Sequence, residues 1–409
     1  MLSPIRRVAM ISMHTSPAAQ PGRGDAGGMN ILVREVATAL GARGLAVDVL
    51  TRAVAEPRVV DLSPGVTLHE LEAGPRGELR KNDLSRVSDE FGEGIAKLHA
   101  SVPGGFDVIH AHYWLSGISA LPVAIEHRIP LVQSFHTLAA MKNRRLAPGA
   151  EPESERRVRS EMFLADQASA VIASSAAEVT TLIDDVRAPA DRVWVIPPGV
   201  DVDHFRPRRA DHVVRARLDV AAGRPLIVIV GRVQPLKAQD LGVRLLADMT
   251  RGSGPSPVLV IAGESTPGDE GYARSLRTLA DELGVADDIR FIGSVDRDYL
   301  ARLLAEATLT LVPSHSETFG LVALESAASG TPVVGFRSTG LVESVDDGVS
   351  GVLVDGREPR EWARVVSALL DDRDGLEALG RGARDHAEGF TWASTAAATL
   401  GVYAGVAGL

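Results

Sequence analysis

The 409-residue chain is long enough for two domains of ordinary size, and its 45% hydrophobic but only 4% aromatic content suits Ala/Val/Leu-rich strands and helices rather than a disordered or fibrous chain. A net charge of −10 argues against nucleic acid or an anionic membrane as the main partner. The absence of cysteine excludes disulfides, thiolate zinc sites and cysteine nucleophiles, and suits a reducing compartment.

The opening Met1-Leu-Ser-Pro-Ile-Arg-Arg-Val has no apolar segment of the signal type, and the apolar runs after it fall far below the ~18 residues of a spanning helix. A soluble cytoplasmic protein without a membrane span is therefore expected. The first strand, Val8–Ile11, runs into Ser12-Met-His-Thr-Ser-Pro-Ala-Ala-Gln-Pro-Gly-Arg-Gly-Asp-Ala-Gly-Gly-Met-Asn30, and an amphipathic helix follows to about Arg43. Gly22, Gly24, Gly27 and Gly28 let the backbone approach a ligand, and the helix start offers unpaired N–H groups to an anion. A plain structural loop is the alternative. It is no dinucleotide fingerprint, because no G-x-G-x-x-G follows the strand. His14, taken alone, fits a structural histidine as well as a ligand contact.

Strands are then expected at Val47–Thr51, Val108–His110, Leu131–Ser134, Ala170–Ala173 and Val193–Ile196, with helical patterns between them. Ile196-Pro-Pro-Gly-Val-Asp-Val-Asp-His-Phe-Arg-Pro207 cannot form a regular helix and marks a hinge, so domains are placed at 1–199 and 200–409. The plan repeats with Leu226–Val230, Val258–Ala262, Ile289–Ile292, Leu309–Pro313, Pro332–Gly335 and Gly351–Val354. Such alternation predicts an α/β fold of parallel sheets flanked by helices. Glu358 to Leu409 reads as helices only, with Trp362, Leu369, Leu370, Trp392 and Tyr403 as apolar anchors that pack back across the hinge.

Two features of the second half carry chemistry. Leu226–Val230 ends in Gly231-Arg-Val-Gln-Pro-Leu-Lys237, which sets Arg232 and Lys237 at the carboxyl edge of a strand, where two cations can neutralise a diphosphate. Pro313-Ser-His-Ser-Glu-Thr-Phe-Gly-Leu-Val-Ala-Leu-Glu325 places Glu317 just before a helix and Glu325 inside it. Eight residues are a little over two helical turns, so both carboxylates can face one cleft and accept from a polyhydroxylated ligand. The plainer reading is a helix-start acid that complements the dipole, plus a solvated helical Glu.

Gly231-Arg-x4-Lys237 together with Glu317-x7-Glu325 resembles the retaining glycosyltransferases of family 4 across essentially the whole chain. The resemblance implies the GT-B fold, two facing Rossmann-like domains with a last helix returning to the first. It further implies that Arg232 and Lys237 bind the pyrophosphate of a nucleotide-sugar, Glu325 the ribose hydroxyls and Glu317 the transferred sugar, with the acceptor entering from the first domain. Met10 to Asn30, His110-Ala-His-Tyr-Trp-Leu-Ser-Gly117 and His136-Thr-Leu-Ala-Ala-Met-Lys-Asn143 are similar to the D-inositol-3-phosphate glycosyltransferases of mycothiol biosynthesis. That likeness implies N-acetylglucosamine transfer from UDP-GlcNAc to 1D-myo-inositol 3-phosphate. It puts acceptor-phosphate contacts on Lys81, Tyr113, Thr137 and Arg157 and a donor contact on Gly28; His14 is a further acceptor-side candidate, and His136 the first candidate for contact near the reacting sugar. The four acceptor-phosphate side chains suit a dianionic phosphate.

The chain departs from that pattern in the donor half, with Gly263-Glu-Ser-Thr-Pro267, Phe291-Ile-Gly-Ser-Val295 and Thr339-Gly-Leu341 where glycine- and proline-bearing loops are usual. Base and sugar specificity stay open at this point. One alternative is a paralogue of specialised metabolism that moves another sugar, GDP-linked in one case, to a small thiol such as ergothioneine in lincosamide assembly. A non-catalytic nucleotide-sugar-binding module is the reading from a different class. No clustered Asp/His ligand set stands out, so no cofactor is expected to be required and any Mg2+ is expected to be structural. The resemblance also implies a homodimer.

Overall fold

A computed structural model describes residues 5–81, 83–147, 151–208, 213–249, 256–266 and 268–408. Strands β1 (Arg7–Ile11), β2 (Ala46–Arg52), β3 (Val59–Ser63), β4 (Val66–Leu71), β5 (Val108–His112), β6 (Leu131–Ser134), β7 (Ala170–Ala173) and β8 (Val193–Val195) build the first sheet. Their spatial order is β3-β4-β2-β1-β5-β6-β7-β8. A second sheet holds β9 (Leu226–Val230), β10 (Val258–Ala262), β11 (Ile289–Gly293), β12 (Leu309–Val312), β13 (Val333–Phe336) and β14 (Gly351–Val354), in the order β11-β10-β9-β12-β13-β14. The central strands are Val/Ile/Leu/Ala-rich and buried on both faces, as parallel strands covered by helices must be.

Parallel pairing fails at one edge, and the Val59–Leu71 hairpin was not expected from the sequence. There β3 pairs antiparallel with β4 around Pro64-Gly65, where Gly65 takes φ 77. The hairpin lacks an unbroken apolar run because β3 faces water, with Val59 69% exposed.

Chain order reverses between β1 and β5 in the first sheet and between β9 and β12 in the second. At such a reversal the loops leaving the carboxyl ends diverge and open a crevice. Contacts between residues that follow β1 and β6 and residues that follow β9 and β12 show that the two crevices share one interdomain cleft.

The chain crosses between the sheets at Ile196–Val200 and returns at Phe390–Trp392. The crossings touch: Val200 N donates to Phe390 O at 3.0 Å, and Thr395 Oγ1 donates to Pro197 O at 2.9 Å. A Cβ on Gly199 would fall 2.3 Å from Trp392 N, so only glycine fits that crossing. The last helix, Trp392–Val406, then buries Ala396, Val402 and Tyr403 among Val8, Met10, Val33 and Val36 of the first domain. Trp362 is fully buried in the second-domain core.

Candidate active site

The long loop after β1 is pinned by Asn30. Its Oδ1 accepts from Gly27 N at 2.9 Å, and its Nδ2 donates to Thr15 Oγ1 at 2.9 Å and Ser16 O at 2.8 Å. One buried amide thus holds both ends of the loop and caps the helix Gly28–Gly41. That helix start meets the second domain closely: a Cβ on Gly28 would lie 3.2 Å from Leu321 Cδ1, and one on Gly27 3.8 Å from Arg232 Nε.

Tyr113, just past β5 with φ 75, is the centre of a first-domain side-chain cluster. The His14 ring lies 4.4 Å from it between centroids, Lys81 Nζ 5.3 Å above it and Arg157 Cζ 4.9 Å from it. Thr137 joins the group because its carbonyl and Oγ1 accept from Arg157 Nη2 at 2.7 and 3.1 Å. The five acceptor residues expected from the sequence therefore come together from five separate segments. Arg157 is buried and engaged on protein acceptors, with Nε on Glu161 at 2.7 Å and Nη1 on Glu153 at 2.9 Å. Burial acts to lower its affinity for the proton, but Tyr113, Glu161 and Glu153 raise it overall, so it is a fixed positive charge beneath Thr137 and Tyr113. Burial, with Arg232, Lys142 and Arg157 adding to it, brings Lys81 down to about 8 despite the opposing effect of Asp25. Burial pushes the Tyr113 phenol up to about 12, which leaves it a neutral donor.

Across the cleft, Arg232 follows β9 and donates to Asp25 Oδ1 at 3.2 Å, while Lys81 reaches the same oxygen at 3.3 Å. Asp25 was not singled out from the sequence, yet it joins a first-domain cation to a second-domain one. Lys237, at the end of the turn Pro235–Lys237, donates to Glu317 Oε1 at 2.5 Å, which also accepts from Ser314 Oγ at 2.6 Å. Thr339, at φ 41, clasps the Glu317 backbone: its Oγ1 accepts from Glu317 N at 2.9 Å and contacts Glu317 O at 2.6 Å. One departure in the donor half thus supports the acid it lies beside.

Glu317 and Glu325 have different surroundings. The helix begins at Leu321, which leaves Glu317 in the loop with Lys237 while Glu325 is buried inside the helix Leu321–Ala328. Burial pushes Glu325 up to about 7, with Glu35 raising it further and Arg297 opposing. Arg297 is shared by Glu35 of the first domain at 3.0 Å and Asp201 at 3.3 Å.

At the end of β10, Gly263 takes φ 143 and its Cβ would fall 2.0 Å from Gly231 O. Glu264 next to it accepts from Ser294 Oγ at 2.7 Å, lies 3.4 Å from Arg23 and donates its N–H to Gly22 O at 3.2 Å. Pro267 of the same loop lies outside the described residues.

Four histidines line the first-domain floor. His110 contacts Tyr403 Oη at 2.7 Å and Ser134 Oγ at 2.9 Å, which ties the last helix to β5 and β6. His112 Nδ1 and His136 Nε2 are 2.9 Å apart. His136 has φ 60, and its carbonyl accepts from Thr318 Oγ1 of the second domain. Burial lowers His110 and His136 to about 3 and holds His14 and His112 well below their ordinary value, so all four are neutral at pH 7. Among the described residues no group of three or more His, Cys, Asp or Glu is arranged to hold a metal ion, and no helix is long and apolar enough to cross a membrane.

Two α/β domains whose switch points open on one cleft, with paired cations on one wall and a polar cationic cluster on the other, define a glycosyltransferase of the GT-B fold. Sucrose-phosphate synthase from Thermosynechococcus elongatus matches at a TM-score of 0.89 and 30% identity, over 97% of this chain and 98% of that one. The catalytic domain of starch synthase IV from Arabidopsis thaliana shares the fold at a TM-score of 0.78 and 15% identity, over the full length of both chains. Residues 26–204 match the model of glycosyltransferase family 4, and residues 213–386 that of glycosyl transferases group 1. A D-inositol 3-phosphate glycosyltransferase of Thermobispora bispora is 44% identical over 98% of this chain and 94% of its own length. One of Mycolicibacterium smegmatis is 42% identical over 97% and 91%. The chain belongs to glycosyltransferase family 4, the family of these inositol-phosphate enzymes.

Proposed function

We propose that the protein is a retaining hexosyl-type transferase that moves N-acetylglucosamine from UDP-GlcNAc to 1D-myo-inositol 3-phosphate, the mycothiol-pathway step. The observation that carries this reading is the convergence of His14, Lys81, Tyr113, Thr137 and Arg157, which offers a phosphate two cations and two hydroxyls. The names of the relatives support the same acceptor. Arg232 and Lys237 would hold the diphosphate, Glu325 the ribose hydroxyls, and Glu317 and Gly28 the sugar side of the donor. The acceptor oxygen bonds to the anomeric carbon on the face from which the diphosphate leaves. The bond to the β-phosphate breaks, and a β-phosphate oxygen takes the acceptor proton. No side chain needs to act as base; positioning and the two cations supply the stabilisation. Domain closure would exclude water from the activated sugar. This reading takes the enzyme as a homodimer with no required metal.

Release of UDP from UDP-GlcNAc that depends on inositol 3-phosphate, with α-configured product by NMR and turnover unaffected by chelator, is the expected result. Glu264 favours a second reading, because a carboxylate beside Ser294 at the β10–β11 strand ends replaces a glycine- and proline-rich loop. Absence of UDP release together with tighter binding of GDP than UDP would select a paralogue with another donor and another acceptor.

A further inference from the structure

His112 and His136 share one hydrogen bond, and which of them donates decides what His136 can offer the cleft. The contact joins His112 Nδ1 to His136 Nε2 at 2.9 Å, and both rings are neutral, so each carries one N–H and one bare nitrogen. Two arrangements satisfy the contact. If His136 donates from Nε2, the proton of His112 must sit on its own Nε2, a buried atom with no hydrogen-bond partner. If His112 donates from Nδ1, that same Nε2 is only a bare lone pair. An orphaned buried N–H is rarer and more costly than an unused acceptor, so the second arrangement wins. No partner comes from the neighbouring ring: His110 lies tilted against His112, 4.0 Å between centroids, and both His110 nitrogens are engaged, by Tyr403 and Ser134.

We infer that His112 donates its Nδ1 proton to His136 and so locks His136 in the tautomer protonated on Nδ1, making His136 a fixed neutral hydrogen-bond donor to an oxygen of the bound sugar. His112 is a positioning residue, acting through His136 without touching substrate. The backbone of His136 is held as well, at φ 60 and with its carbonyl accepting from Thr318, so its ring direction is set from both domains. His136 Nδ1 has no competing partner: among the described residues the side-chain hydrogen bond of His136 is the one to His112. The only basic nitrogen of His136 is therefore occupied, which removes it as a base toward the acceptor hydroxyl. The sugar contact rests on the function proposed above; the tautomer does not.

Nitrogen-15 spectra of the full-length protein labelled in histidine test the tautomer directly, with His136→Gln used to assign the ring. A protonated Nδ1 and bare Nε2 on His136 are expected, and the reverse pattern overturns the inference whether or not the enzyme turns over. Kinetics test the consequence. His112→Asn retains a side-chain N–H near the place of Nδ1 and is expected to keep kcat/KM within about threefold, whereas His112→Phe removes the donor and is expected to lose about tenfold. Equal losses in the two variants overturn the positioning role. If the Phe variant does not fold, the tautomer of His136 in the Asn variant decides instead, and loss of the Nδ1-protonated form there counts against the proposal.

Discussion

Replacing Glu325 by Gln is expected to stabilise the protein at alkaline pH while weakening donor binding. Burial raises this carboxyl from 4.5 to about 7. Below pH 4.5 the group is neutral in folded and unfolded chains alike, and folding carries no charge penalty there. As pH rises through 7 the folded state must hold a buried carboxylate, and that stability is lost. A rise of this size corresponds to on the order of 3 kcal/mol once pH exceeds the folded value. Glu325→Gln keeps the shape and removes the charge, so its melting temperature relative to the parent should be nearly unchanged at pH 5 and several degrees higher at pH 8. Glu178, also raised to about 7 by burial, contributes the same slope to both proteins and cancels in the difference. Calorimetry across pH is the assay, with the transition of the second domain followed separately, because a two-domain chain need not melt in one step. The ribose hydroxyls would lose a charge-assisted acceptor, raising the donor KM by roughly 10- to 100-fold. A melting difference independent of pH, or destabilisation at pH 8, would refute the electrostatic reasoning.

Lys237→Ala is expected to lower kcat by at least about 100-fold with stability altered by less than about 1 kcal/mol, since the pair with Glu317 is partly exposed; turnover and thermal melting check both halves. Gly263→Ala combines a positive φ with a Cβ 2.0 Å from Gly231 O, so a loss of more than about 2 kcal/mol is expected in denaturant titrations. Thr339→Gly relieves a left-handed residue but removes the hydroxyl that clasps the Glu317 backbone. A net loss of about 1 kcal/mol and a higher donor KM are expected, and an unchanged KM would separate the clasp from donor binding.

Much of the fold was legible because parallel strands covered on both faces must be continuous apolar runs, and those runs mark β1, β2 and every strand from β5 to β14. The β3–β4 hairpin was not, because an edge strand facing water carries no such run. The same division holds in the site. Arg232, Lys237, Tyr113 and Thr137 follow strand ends, where position alone suggests a ligand. Asp25 sits in a loop, and Asn30 in the first turn of the helix after it; the path of that loop depends on hydrogen bonds from Asn30 to Thr15 and Ser16 and on ion pairs from Asp25 to Lys81 and Arg232, contacts that no spacing rule encodes. The separate surroundings of Glu317 and Glu325 were hidden for a related reason: the loop before Leu321 folds the first acid onto Lys237, and that path is not set by the eight-residue spacing.

The charges of the cleft explain why it can be both stable and ready for an anion. Lys81 and Arg232 face each other across the domains, and Arg232 lowers the proton affinity of Lys81; left alone they would push the domains apart. Asp25 lies between them and offsets that repulsion, as Glu317 does for Lys237. Side chains in these pairs are between 14% and 37% exposed, so each pair contributes on the order of 1 kcal/mol or less. A diphosphate or a phosphomonoester presents more charge and several acceptor oxygens at once, and it can displace a single carboxylate at small cost. The neutral histidines beneath add hydrogen-bonding direction without adding positive charge, so the field in the cleft comes from the residues that can meet phosphate.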